Sequence, residues 1–197
     1  MFDRDLLSRP ALEVAPHLLG ATISKGQVTV RLTEVEAYLG EGSDPGSHAF
    51  RGLSKRNAVM FGQPGHLYTY FTYGMHVCAN VVCSPEGSAS GILLRAGEVI
   101  EGIELARERR TTSRRDIDLA RGPARLAVAL GITLTDGGSD LAASDIRLDL
   151  PNDAAPFATG PRTGVSGAGG TRHFPWRFWI PGDPTVSPYK AHVPKKR

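Results

Sequence analysis

The sequence contains little cysteine and no long apolar run. It has two cysteines, Cys78 and Cys83, among 197 residues. If both lie on one strand, their odd spacing directs them to opposite faces of the sheet, which excludes a disulfide between them. Neither a secretory leader nor a membrane-spanning segment is evident. We therefore expect a reduced, cytoplasmic protein with no membrane partner.

Lysine and metal-ligand clusters are also scarce. The five lysines are Lys25, Lys55, Lys190, Lys195 and Lys196. His76 and Cys78 would share one strand face, but no third ligand follows at a spacing typical of a metal site. We therefore expect neither a metal nor a cofactor.

Positive charge is supplied mainly by arginine. The formal net charge is +3, and the sequence pI is about 9.0. Arginine suits bidentate contacts with phosphates and base edges, so the balance is compatible with a polyanionic partner without requiring one. The arginine-rich run at 107–115 is typical of a solvated helix face. Arg121 and Arg125, in contrast, flank a predicted helix start at Gly122-Pro123 that could hold a phosphate.

Strand and helix patterns are mixed along the chain without regular alternation, which favours an α+β fold. We predict one domain over residues 1–197 with a basic tail at about 189–197. Its sheet should be curved and mixed or antiparallel, with a protruding β-hairpin and surrounding helices. The predicted elements are a helix at 10–19, strands at 27–38, within 67–83, at 91–99 and at 176–180, and helices at 100–110 and 123–130. A polar, glycine-rich loop at 40–66 is long enough to suggest a functional role.

The first long strand ends in two carboxylates. Strict alternation would place Glu34, Glu36 and Tyr38 on the same face as the apolar residues Val28, Val30 and Leu32. Two interpretations are open. The glutamates could emerge into solvent or pair with arginines, or one could be a partly desolvated general base at the mouth of a pocket.

Aromatic residues are concentrated within 68–73. By strand alternation Tyr68 and Tyr70 share one face, while Phe71 and Tyr73 share the other. Phe71 is predicted to be a core residue or a member of a cross-strand pair. Tyr73 precedes Gly74 at a predicted turn, where a large aromatic side chain cannot easily reach the core and could instead wedge between base pairs.

Several motifs occur in a specific order along the chain. They are TEVEAYLG at 33–40, His48, Arg56-Asn57, Met60-Phe61, GHLYTYFTYGM at 65–75, Cys78, Asn80, LLRA at 93–96, Gly122-Pro123, Gly164-Val165 and Arg177-Phe178. This ordered set resembles the alkyladenine (3-methyladenine) DNA glycosylase family. The resemblance extends from about residue 5 to about residue 188.

The resemblance implies a catalytic group around one acid. Glu36 corresponds to the carboxylate that activates the attacking water. Arg95 and the main-chain carbonyl of Thr163 correspond to further contacts to that water.

The resemblance also implies a pocket for an everted base. Tyr38 and Tyr70 would enclose the base, and His48 would lie on the rim with its backbone N–H reading the base edge. Asn80 would clash with the exocyclic amine of guanine. Tyr73 would fill the gap left in the duplex.

These roles together predict a monofunctional DNA glycosylase of base excision repair, associated with a bacterial nucleoid. It would act as a monomer on double-stranded DNA containing alkylated or deaminated purines, namely 3-methyladenine, 7-methylguanine, hypoxanthine and ethenoadenine. No lyase step is expected, because no lysine falls within the matched pocket motifs.

Two other functions are weighed against this one. A non-catalytic module that binds damaged DNA would use the tyrosines but leave Glu36 and Arg95 without a role. A nucleoside-type hydrolase or a formyl-transfer domain would act on a small substrate and would need no wedge at a hairpin tip. Release of free base from damaged DNA, and salt-dependent duplex binding, distinguish the three.

Overall fold

The computed structural model describes residues 1–72 and 74–193. The four α-helices are short: α1 Arg4–Leu7, α2 Ala11–Val14, α3 Ile103–Arg109 and α4 Pro123–Leu130. Single 3₁₀ turns cover Ala15–Leu18, Ala58–Phe61, Asp116–Asp118, Leu134–Asp136 and Ala168–Gly170. Among the described helices, none is long and apolar enough to cross a bilayer.

The strands form one open antiparallel sheet. Their bounds are β1 Thr22–Lys25, β2 Val28–Tyr38, β3 Leu67–Thr72, β4 His76–Cys83, β5 Ser90–Glu101, β6 Ala120–Arg121, β7 Ile146–Asp149, β8 Ala158–Gly160 and β9 Arg177–Trp179. The main order is β3-β4-β5-β2-β1-β7, with β6 beside β5, β9 beside β2, and β8 beside β9. The fold is thus a single compact α+β domain, as predicted, and its sheet is antiparallel in every described pairing.

One face of the sheet packs in the hydrophobic core, and the other face lines a cavity. On β4, Ala79, Val81 and Cys83 belong to the main hydrophobic core, whereas the side chains of Cys78 and Asn80 line a cavity. Alternation along the strand separates these two sets. Cys78 and Cys83 are therefore both buried and unbonded, on opposite faces.

Strict alternation along β2 is wrong. The core residues are at even-numbered positions up to Leu32, such as Val30, and at odd-numbered positions after it, namely Val35 and Ala37. The change follows register irregularities between Leu32 and Val35, where β2 and β5 each have one residue without a cross-strand partner. A bulge of this kind reverses which residues face the core. Glu34 and Glu36 therefore do not continue the apolar stripe of the strand.

The remaining predictions hold to different degrees. Helix α4 spans 123–130 as predicted; Gly122 precedes it with φ of 132°, and Gly131 ends it with φ of 71°, a conformation that glycine adopts without strain. The helix predicted at 10–19 begins as α2 at Ala11 and continues from Ala15 as a 3₁₀ turn that contains Pro16. The helix predicted at 100–110 begins only at Ile103, because β5 continues to Glu101.

The strand pair predicted within 67–83 is present as β3 and β4. Phe71 is paired with Val77 across the two strands and is 46% exposed, so the cross-strand alternative is confirmed and the core alternative is wrong. Tyr73 lies outside the described residues. β1 and β7, which pair with each other at the far side of the sheet, have no counterpart among the predicted strands.

Candidate active site

A cavity of about 480 Å³ opens on the sheet face opposite the core. This volume falls within the range of about 300–1,000 Å³ that is typical of small-molecule sites. Seven of the eight predicted site residues line it: Glu36, Tyr38, His48, Tyr70, Asn80, Arg95 and Thr163. They come from β2, β3, β4 and β5 and from the two loops around His48 and Thr163. The eighth, Tyr73, lies outside the described residues.

Glu36 forms part of the cavity wall and is fully buried. The backbone N–H of Thr163 donates to Oε1 at 2.7 Å, and the hydroxyl of Tyr38 donates to Oε2 at 2.9 Å. Each carboxylate oxygen keeps a further lone pair for another donor. Burial raises the pKa of Glu36, and the charge of Arg95 only partly opposes that shift. Arg95 therefore favours the ionised form of Glu36, but less strongly than burial disfavours it.

Arg95 bonds more closely to Glu34 than to Glu36. Its Nε lies 3.0 Å from Glu34 Oε1 and 3.5 Å from Glu36 Oε1. Arg177 also donates to Glu34, and the backbone N–H of Ser187 donates to it at 2.7 Å. Glu34 is thus paired with arginines, which was one of the two interpretations left open by the sequence. Its ion pair fixes Arg95 beside Glu36.

Tyr68, Tyr70 and His48 form an aromatic wall of the cavity. Tyr70 stacks on Tyr68 with ring centroids 5.7 Å apart, and the His48 ring meets Tyr70 edge-on at 4.5 Å. The Nδ1 of His48 and the hydroxyl of Tyr68 are 3.1 Å apart. Tyr68 was not among the predicted site residues, although its alternation with Tyr70 placed both on one face.

His48 lies exposed at the rim of the cavity. Partial burial of the ring and the nearby charge of Arg56 lower its pKa, so the imidazole is neutral at neutral pH. The side-chain amide of Asn57 donates to the carbonyl of His48 at 2.9 Å and fixes the loop. Within the described part of the chain, the backbone N–H of His48 has no hydrogen-bond partner.

Asn80 and Thr163 are held by the backbone around them. The amide of Asn80 donates to the carbonyl of Tyr68 at 3.2 Å across the β3–β4 pair. Thr163 contacts Glu36 through its N–H rather than through the carbonyl to which the resemblance assigns a role. Its hydroxyl is buried and has no partner among the described residues.

The first turn of α4 forms another part of the wall. Arg121 and Arg125 line the cavity together with Gly122 and Pro123. The arginines of the run at 107–115 behave differently. Arg107 pairs with Glu104 and Asp116 on the exposed surface, as expected of a solvated helix face.

Asp44 and Arg162 are buried beside the site and were missed from the sequence. They form a bidentate ion pair with distances of 2.6 and 2.7 Å, and both side chains are fully buried. The partners are 118 positions apart. No motif or local spacing connects them, so only the fold reveals the pair.

Comparison with known proteins identifies the family. The family model of the methylpurine-DNA glycosylases matches residues 5–184. A protein of Leifsonia xyli, named as a proposed 3-methyladenine DNA glycosylase, is 62% identical over 96% of this chain and 92% of its own length. Similarly named proteins of Streptomyces avermitilis and Nocardia farcinica are 55% and 54% identical, over 98% and 89% of this chain and 94% and 85% of their own lengths. The chain therefore belongs to the methylpurine-DNA glycosylase family and is a DNA glycosylase.

Proposed function

We propose that this protein excises alkylated and deaminated purines from duplex DNA by hydrolysis, with Glu36 as the base that activates water. The observation that carries the proposal is a buried carboxylate in the wall of a cavity that is also lined by Tyr38, Tyr68 and Tyr70. A stacked base is inaccessible to such a site, so the damaged nucleotide must first rotate out of the helix. Its substrates would be 3-methyladenine, 7-methylguanine, hypoxanthine and ethenoadenine.

Binding of the everted base is assigned to the aromatic side chains. Stacking of a base on an aromatic ring contributes about 1–3 kcal/mol, which offsets part of the cost of unstacking. Tyr38 and Tyr70 line the cavity and would enclose the base. His48 would present its backbone N–H to the base edge, and Asn80 would exclude the exocyclic amine of guanine. Tyr73 is proposed to close the gap in the duplex.

The chemical step breaks the bond between the base and the anomeric carbon. The transition state has oxocarbenium character, by analogy with other glycoside hydrolysis. The bonding electrons would remain with the purine, which leaves as a neutral base if it is cationic in DNA and takes up a proton from solvent if it is neutral. Ionised Glu36 would accept a proton from the attacking water and stabilise the positive charge on the sugar. Because the carboxylate is fully buried, water reaches it only if a neighbouring group, such as the Tyr38 hydroxyl, moves aside. Arg95 and the carbonyl of Thr163 would hold that water.

A Schiff-base lyase step is not part of the proposal. Of the described lysines Lys25, Lys55 and Lys190, none lines the cavity, and Lys25 is paired with Asp136 at 2.6 Å. Without an amine nucleophile at the sugar, the product is an intact abasic strand and a free base. The monomer is the proposed active form.

One excision panel tests the proposal. End-labelled duplexes that each carry one of the four lesions are incubated with excess protein, with and without a chelator, and then divided into two samples. We expect free base in the supernatant and strand breaks only in the sample treated with hot alkali. Strand cleavage without alkali would contradict the monofunctional mechanism. Binding of every duplex without any base release would favour the non-catalytic binding module.

A further inference from the structure

Arg162 is a fully buried cation behind one wall of the cavity. Its guanidinium has five N–H donors, and acceptors account for all of them. Two go to Asp44. The others go to the carbonyl of Ala37 at 3.0 Å and to that of Gly169 at 2.7 and 3.2 Å. A charge held in this way cannot move into the cavity or into solvent.

Asp44 is satisfied equally well. Besides the two bonds from Arg162, it accepts from the N–H of Leu39 at 3.1 Å and of Gly46 at 2.9 Å. The packing around the pair is tight, since a Cβ on Gly46 would come within 2.6 Å of the guanidinium. The ion pair therefore fixes the loop that carries His48.

The guanidinium of Arg162 faces the ring of Tyr38. Its Cζ lies 4.4 Å from the ring centroid, closer than to the rings of Trp176 at 5.2 Å or Phe174 at 5.9 Å. Tyr38 also lines the cavity and donates to Glu36. The ring is therefore a thin layer between a permanent cation and the space proposed for the base.

We propose that Arg162, held by Asp44, is a specificity-determining positioning residue that disfavours positively charged purines relative to neutral ones at the Tyr38 wall. The inference rests on the proposed function of the cavity. An aromatic face attracts cations through its quadrupole. Arg162 already uses the rear face of Tyr38, and its charge opposes a second cation on the front face.

The distance supports a measurable effect. A base stacked on the front of Tyr38 would lie roughly 8 Å from the guanidinium, a separation at which charges inside a protein still interact appreciably. Screening by solvent is weak there because the pair is buried. Purines alkylated at N7 carry a positive charge in DNA, whereas hypoxanthine is neutral. The two lesions should therefore respond differently to a change of charge behind Tyr38.

The Asp44–Arg162 pair has no net charge in the wild type, and two variants alter it differently: one raises its net charge to +1, and the other removes the guanidinium that faces Tyr38 together with its counter-ion. Asp44→Asn keeps the shape of the side chain but removes its negative charge, which leaves Arg162 unbalanced. The double variant Asp44→Asn/Arg162→Gln removes both charges and leaves two amides that can bond to each other. Asp183→Asn is the matched control, because Asp183 pairs with Arg31 on β2 and does not line the cavity.

The measurement is the single-turnover rate of base release at saturating protein, with 7-methylguanine and hypoxanthine duplexes. The informative quantity is the ratio of the two rates, since a purely structural role would lower both together. We expect Asp44→Asn to lower the ratio of 7-methylguanine to hypoxanthine about fivefold. The double variant should raise it by a smaller factor, about threefold, because Asp44 already offsets part of the charge of Arg162 in the wild type. Asp183→Asn should leave it within about twofold of the wild type.

A ratio that stays constant in Asp44→Asn, or that moves in the same direction in both variants, overturns the proposal. If circular dichroism shows that the double variant is unfolded, the direction of change in Asp44→Asn decides alone. A wild-type protein that releases neither base contradicts the proposed function instead. That outcome is recognised before any variant is compared.

Discussion

Glu34 and Glu36 lie two residues apart on β2, and both are fully buried, but their surroundings differ. Glu34 accepts hydrogen bonds from two arginines, Arg95 and Arg177, and from the N–H of Ser187. Glu36 accepts only from neutral donors, one backbone N–H and one tyrosine hydroxyl. Its nearest guanidinium nitrogen is 3.5 Å away.

The difference indicates which acid is structural and which is available for chemistry. A buried carboxylate that is paired with two arginines has its oxygens occupied by charged donors and holds those cations in place. A buried carboxylate with neutral donors has its pKa raised, as that of Glu36 is, which is typical of a general base. Two identical residues on one strand therefore differ in function because of the partners that the fold brings to each.

The largest expected effect comes from Glu36→Gln. Removal of the ionisable group should reduce the single-turnover rate of base release about a thousandfold or more, at the upper part of the range for general bases. Binding to an ethenoadenine duplex should stay within about threefold, because the aromatic wall is unchanged. Retained base release by this variant would show that Glu36 is not the base.

Glu34→Gln should instead affect stability. Arg95 and Arg177 would remain buried without their counter-ion, and loss of one partner of a buried ion pair costs about 3–5 kcal/mol of unfolding free energy. Urea unfolding followed by circular dichroism measures this. The matched control is Glu98→Gln, which removes a half-exposed partner of Arg31 and should cost less than about 1 kcal/mol. Equal losses in the two variants would mean that Glu34 is no more structural than a surface acid.

Tyr38→Phe tests the neutral donors of Glu36 through the pH dependence of base release. The Tyr38 hydroxyl lowers the pKa of Glu36 in partial opposition to burial. Its removal should raise that pKa further and move the acid limb of the pH–rate profile to higher pH. We expect the rate to fall about fivefold at the acid end and less than about twofold at alkaline pH. Tyr68→Phe, whose hydroxyl contacts His48 rather than Glu36, should not shift the limb.

The smallest expected effect is a gain in stability for Glu36→Gln. The pKa of Glu36 is raised above its ordinary value of 4.5 by folding, so the ionised acid destabilises the folded protein at neutral pH. Glutamine removes that penalty, and we expect a gain of about 1 kcal/mol, or about 2–4 °C in Tm. The gain should shrink as the pH falls through the raised pKa toward 4.5, because the wild-type acid then becomes protonated. A variant less stable than the wild type at neutral pH would contradict the comparison.

The accuracy of the sequence prediction depended on how local each feature was. Helix α4 was predicted to the residue because glycines bracket it and Pro123 begins it. The helix at 10–19 was not predicted to the residue, because the proline within it favours a 3₁₀ turn. The face of Glu34 was assigned wrongly because a bulge depends on the facing strand, which alternation in one strand cannot reveal.

The sequence by itself determined the identities and the order of the groups at the site. Its motifs named seven residues that line one cavity, and strand alternation placed Tyr70 and Tyr68 together. The tertiary structure alone decided which glutamate is hydrogen-bonded by two arginines and which accepts only from neutral donors. It also brought Asp44 to Arg162 across 118 positions. Long-range packing brings such charged partners into contact. The pKa of a buried acid depends on those partners and on desolvation, and not on its neighbours in sequence.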